Sequence, residues 1–122
     1  MTTEEIPPWL REQLARFDQL QKNLQAILYQ KQQVELELTE IEKALEELKK
    51  IGPDDAIFKS AGSLLVKVKK DDIVKELEEK RELTNTRSIV LTRQESHIRE
   101  NVKEMQSKID QAIHGRTQPP EN

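Results

Sequence analysis

From Trp9 to Lys50 the chain contains neither glycine nor proline, and its apolar residues recur at alternating steps of three and four. Leu20, Leu24, Ile27, Val34, Leu38, Ile41, Leu45 and Leu48 follow that rule, with Lys31 filling the one gap. This spacing puts the side chains on one narrow stripe of an α-helix, the a/d seam of a coiled coil. Such a stripe encloses no core by itself, so the helix must find a partner. The remaining residues are mostly Glu, Gln, Lys, Leu and Ala, all good helix formers. Leu10, Leu14 and Phe17 begin the same pattern. The step from Phe17 to Leu20 is a second step of three in succession, a stammer that overwinds the helix locally. Pro7 and Pro8 suit the start of the helix, where a missing N–H costs nothing.

The partner lies in the same chain. At the end of the first helix Lys49 and Lys50 suit the negative end of its dipole. Gly52 suits a left-handed cap and Pro53 blocks continuation. A second helix is predicted from a cap at Asp71 or Asp72, through Ile73, to about His114, with Gly115 ending it. Its seam is Val74, Leu77, Leu91, Ile98, Val102, Met105, Ile109 and Ala112. Arg81, Thr84, Ser88 and Glu95 interrupt this seam, and Leu83, Ile89 and Val90 lie off it. Each helix spans roughly 60–65 Å at ~1.5 Å per residue. Equal lengths joined by a reversal predict an antiparallel hairpin of helices. Leu48 then faces Val74, Leu45 faces Leu77, Leu24 faces Ile98, Leu20 faces Val102 and Phe17 faces Met105. The middle layers pair Ile41 with Arg81, Val34 with Ser88 and Ile27 with Glu95, which marks the middle as the more flexible part.

Between the helices stands "AIFKSAGSLLVKVKK", residues 56–70. Ile57–Ser60 and Leu64–Lys70 read as two strands around "SAGS", with Gly62 tolerating positive φ. Leu64, Val66 and Val68 share one face; Leu65, Lys67 and Lys69 share the other. A lone two-stranded hairpin is marginal in water. At one end of a helix pair it has no core of its own, so it reads as an assembly element completed by hairpins of other subunits. The fold class is an all-α coiled coil with a small β element, in one domain over residues 1–122. It comprises helix 9–50, hairpin 56–70, helix 72–114, and flexible termini at 1–6 and 115–122.

Composition supports this and excludes much else. Charged residues make up 35% and aromatics 3%, with a mean hydropathy of -0.81, which favours long helices over a globule. The net charge is -3 with both signs mixed along the chain, so there is no basic face for nucleic acid. The chain has no cysteine, hence no disulfide or thiol chemistry. No apolar run approaches the ~18–20 residues of a membrane span. The start "MTTEEIPPWL" is not a signal peptide, so the default location is cytoplasmic. His97 and His114 are far apart, and "HIRE" is not a zinc motif. Glu46–Glu47 and Glu78–Glu79 read as solvated helix faces, and "KVKK" as the end of a strand. With no phosphate loop either, no enzyme activity, cofactor or metal is expected, and no catalytic residue is assigned.

The layout resembles prefoldin, specifically its β-type subunit, over nearly the whole chain. The stretch "IFKSAGSLLVKVKKDDIVKELEEKRE", residues 57–82, carries the resemblance most strongly. It shows the aromatic Phe58, basic Lys59, small Ser60 and Gly62, the apolar strand Leu64–Val68, acidic Asp71, and Leu77 in a charged helix. A single hairpin is the β-type pattern; Ala61 and Ser63 beside the glycine are ordinary variation. The short sequence without extra segments resembles the archaeal members. The resemblance implies a hexamer of two α and four β subunits, in which hairpins build an intersubunit β-barrel platform carrying coiled-coil arms. It implies an ATP-independent chaperone that holds unfolded clients between arm tips and passes them to a group II chaperonin.

Within that reading Ile57, Phe58, Gly62, Leu64, Val66 and Val68 are the expected assembly residues. At the opposite end of the arm, Ile6, Trp9, Leu10 and Ile113 are the expected client-binding residues, where the helices fray. Leu14, Phe17, Met105 and Ile109 are expected to seal the last layers instead. The alternative is a structural or tethering coiled coil without chaperone activity.

Overall fold

The structure is a computed structural model that describes residues 6 to 117. Helix α1 spans Pro8–Lys49, strand β1 Ile57–Ala61, strand β2 Leu64–Val68 and helix α2 Lys70–Thr117. Two long helices therefore flank a two-stranded antiparallel sheet, as the sequence predicts. Residues 1–5 and 118–122, most of the termini expected to be flexible, lie outside the described residues.

The chain divides into two compact units, Met1–Gln30 with Leu91–Asn122, and Lys31–Val90. Each unit packs along a stripe of its helices. In the first unit the buried apolar residues are Leu10, Leu24, Leu91 and Ile109. Its grooves bring Leu10 beside Ile109 and Ile27 beside Ile98, which fixes the antiparallel sense. In the second unit Leu48, Ile57 and Ile73 form a core, with Ile51, Val68, Val74 and Leu77 packed against it. Farther along, Glu37 meets both Lys80 and Arg87 at 3.7 Å. As positions fall along α1 they rise along α2, so this unit is antiparallel too.

The middle layers differ from expectation. Val34 is only 1% exposed and Ile41 4%, although Ser88 and Arg81 were to face them. Thr84 is sealed as well, at 2%. Its Oγ1 donates to the Lys80 carbonyl at 2.7 Å, so the hydroxyl enters the seam satisfied.

The ends of the helices also depart from the prediction. Gly62, at φ 62°, is the glycine with positive φ among the described residues, so Gly52 is not a left-handed cap. After Lys49 the chain tightens instead, with Lys50 N–H donating to Glu47 O and Ile51 N–H to Leu48 O. The Gly52 N–H donates to Asp55 Oδ2 at 2.8 Å. Neither Asp71 nor Asp72 caps α2; both lie inside its first turn, where they suit the positive end of the dipole. The cap position falls to Lys69, whose carbonyl accepts from Ile73 N–H at 3.1 Å. Gly115 does not end α2, which continues to Thr117. A glycine costs a helix only about 1 kcal/mol, and the first proline beyond it is Pro119. At the other end, Leu10 and Arg11 donate to Pro7 O, so the Pro7–Pro8 start behaves as expected.

Candidate functional site

The hairpin turns through Gly62 and Ser63. Gly62 has positive φ and Ser63 does not, which is the type II′ turn whose twist suits paired strands. Register follows: Ile57 opposes Val68, Phe58 opposes Lys67, Lys59 opposes Val66, Ser60 opposes Leu65 and Ala61 opposes Leu64. Opposed residues share a face. One face therefore carries Ile57, Val68, Lys59, Val66, Ala61 and Leu64. The other carries Phe58, Lys67, Ser60 and Leu65.

The first face is split. Its open end, Ile57 and Val68, packs into the core with Leu48 and Ile73. Ile57 is 8% exposed and anchors the hairpin to its own chain. The same contact corrects the reading that the hairpin has no core of its own. Toward the turn the situation reverses, with Leu64 at 67% and Val66 at 45% exposed. The second face is open at Phe58 and Leu65, which are 58% and 74% exposed. Leu65 was not among the expected assembly residues. Its signal was the unbroken "LLV" run, which puts an apolar side chain on each face of the strand.

Two lysines join the elements. Lys59 Nζ on β1 pairs with Glu76 Oε1 on α2. Lys70 Nζ donates to the Ile51 carbonyl at 2.6 Å, tying the start of α2 to the turn after α1. Neither contact was legible among so many charges.

In the other unit Trp9 and Ile113 stand out, half exposed, and Ile6 is half-buried. Leu10 is buried, which removes it from the expected free surface: it lines one groove with Met105 and Ile109. Of the residues expected to seal the layers, Ile109 is buried and Phe17 and Met105 are half-buried, whereas Leu14 stays at the surface. Helical phase explains the swap, because Leu10 falls on the seam and Leu14 beside it. Among the described residues no group of three or more His, Cys, Asp or Glu is placed to hold a metal ion, and no helix is long and apolar enough to cross a membrane.

The prefoldin subunit family model matches residues 11–116. The chain belongs to the prefoldin subunit family. It is 42% identical over 109 residues to prefoldin subunit beta of Archaeoglobus fulgidus, covering 89% of this chain and 94% of that one. It is 42% identical over 110 residues to prefoldin subunit beta of Pyrococcus horikoshii, covering 90% and 94%. The crystal structure of the prefoldin beta subunit from Thermococcus strain KS-1 superposes with a TM-score of 0.81 at 40% identity, covering 95% of this chain and 98% of that one. The beta2 subunit from the same strain gives 0.67 at 26% identity, covering 75% and 97%. Prefoldin membership carries a chaperone-type function and an oligomeric assembly with it.

Proposed function

We propose that this chain is the β-type subunit of a hexameric chaperone, two α and four β, that works in the cytoplasm without ATP. Its hairpin completes a β-barrel with those of neighbouring subunits. Its helix ends hold unfolded proteins, which then pass to a group II chaperonin. The observation that carries the reading is a sheet of only two strands with exposed apolar residues on both faces, Leu64 and Val66 on one and Phe58 and Leu65 on the other. A monomer rarely displays such a patch unless another protein covers it. The sheet's free backbone edges ask for further strands in the same way.

Co-expression with an α-type prefoldin subunit tests this, followed by mass measurement and an assay for suppression of client aggregation. The parent is expected to form a complex of hexamer mass that keeps an unfolded client soluble. Val66→Asp is expected to lose the complex while keeping its helical signal, because a buried unpaired charge is costly. A complex unaffected by Val66→Asp removes the hairpin from the assembly. A chain that stays a monomer or dimer beside its partner favours the tethering alternative.

A further inference from the structure

We propose that Lys59 and Glu76 are a positioning pair: they set the angle of the hairpin on α2, and through it the hairpin's competence to assemble. The inference rests on the assembly reading above.

The argument starts from how little holds the hairpin. One opposed pair, Ile57 and Val68, enters the core beside Ile73. Packing at the open end of the strands fixes position but leaves the angle of the rest of the hairpin to be set. The segments on either side, residues 52–56 and Lys69, belong to neither a helix nor a strand. Lys59 lies two residues farther toward the turn than Ile57, about 6–7 Å along the strand. The two share a face because side chains alternate. Its ammonium meets the Glu76 carboxylate, three residues beyond Ile73 on α2 and so on the same side of that helix. Strand and helix are thus tied at two successive points, Ile57 with Ile73 and Lys59 with Glu76. Two points fix an angle where one leaves a pivot.

Among the described residues no hydrogen bond or ion pair reaches from Ser60 through Lys67 to either helix. Those residues include the exposed Leu64, Leu65 and Val66. Val66 opposes Lys59 directly, so the plane in which Leu64 and Val66 are presented follows from where the lysine is fastened. Lys67 lies on the opposite face and cannot replace it. The two side chains are 43% and 53% exposed, so the pair adds little to the stability of one chain. Its effect falls on orientation, and an assembly that takes several copies compounds a small penalty in each.

The test compares the parent, Lys59→Glu, Glu76→Lys and the exchanged Lys59→Glu/Glu76→Lys chain, each full length. Assembly with an α-type subunit is titrated, with Val66→Asp as the negative control and circular dichroism verifying the helices. Each single reversal is expected to raise the half-assembly concentration about two- to fivefold per subunit at low salt. The exchanged chain is expected to return close to the parent. The difference should shrink toward 1 M salt, where screening acts within about 3 Å. A second readout needs no partner: spin labels on Ser63→Cys and Glu79→Cys should give a distance distribution that broadens in each single reversal and narrows again in the exchange. If the parent assembles and the reversals match it in both readouts, or the exchange restores neither, the inference fails and the assembly reading stands. A parent that does not assemble overturns both.

Discussion

Thr84 brings a hydroxyl into a fully buried position of the seam, and what happens to that hydroxyl decides the cost. It donates to Lys80 O, a carbonyl that already has its helical bond, so removing the donor orphans nothing. Thr84→Val is therefore expected to change stability by less than about 1 kcal/mol, whereas Thr84→Asp should cost several. Val34→Ala, at the most buried apolar position, should cost about 1–3 kcal/mol in denaturant unfolding. A smaller loss would mean that the seam is open there. The glycines give an opposed pair of outcomes. At Gly115 a Cβ meets nothing within 4 Å and φ is not positive, so Gly115→Ala should stabilise by up to about 1 kcal/mol. Gly62→Ala has the same open space but a φ of 62°, and should destabilise the turn. The sequence showed a glycine at each place; only Gly62, between two apolar runs, came with a pattern that stated its backbone conformation. Leu10 and Leu14 were indistinguishable for a similar reason. Near a stammer the heptad phase no longer tells which of two leucines faces in.

The elements were far more legible than their ends. Each helix announces itself by dozens of concordant choices, so losing a few changes nothing. A cap rests on one or two residues, and at Gly52 and Asp71 more than one backbone solution satisfies the same side chains. The polar interruptions in the second helix were read as weakness because a sequence does not say whether Thr84 bonds its own backbone. Hydrogen exchange measures the outcome. Amides around Val34 and Thr84 are expected to exchange more slowly than those near His114, where α2 is exposed on most sides. Equal rates would restore the weak-middle expectation. The Lys59–Glu76 contact was invisible for another reason: with 35% charged residues, almost any cross-element pairing can be drawn on paper.

For the whole chain, the two candidate surfaces belong to different compact units, which makes their roles experimentally separable. Trp9→Ala with Ile113→Ser removes exposed apolar area but leaves the buried Leu10 and Ile109 in place. That chain is expected to assemble like the parent and to lose about tenfold or more in protection of an unfolded client, since weak contacts repeated over several arms multiply. Undiminished protection would move client binding away from these residues. The open hairpin has a further consequence for the cell that makes it. A subunit without partners displays Phe58, Leu64, Leu65 and Val66 together with unpaired strand edges, the features by which stray proteins adhere to one another and by which quality control marks them. Surplus copies are therefore expected to aggregate in proportion to the imbalance. Matched synthesis of the subunits and rapid removal of orphans follow from the same two strands.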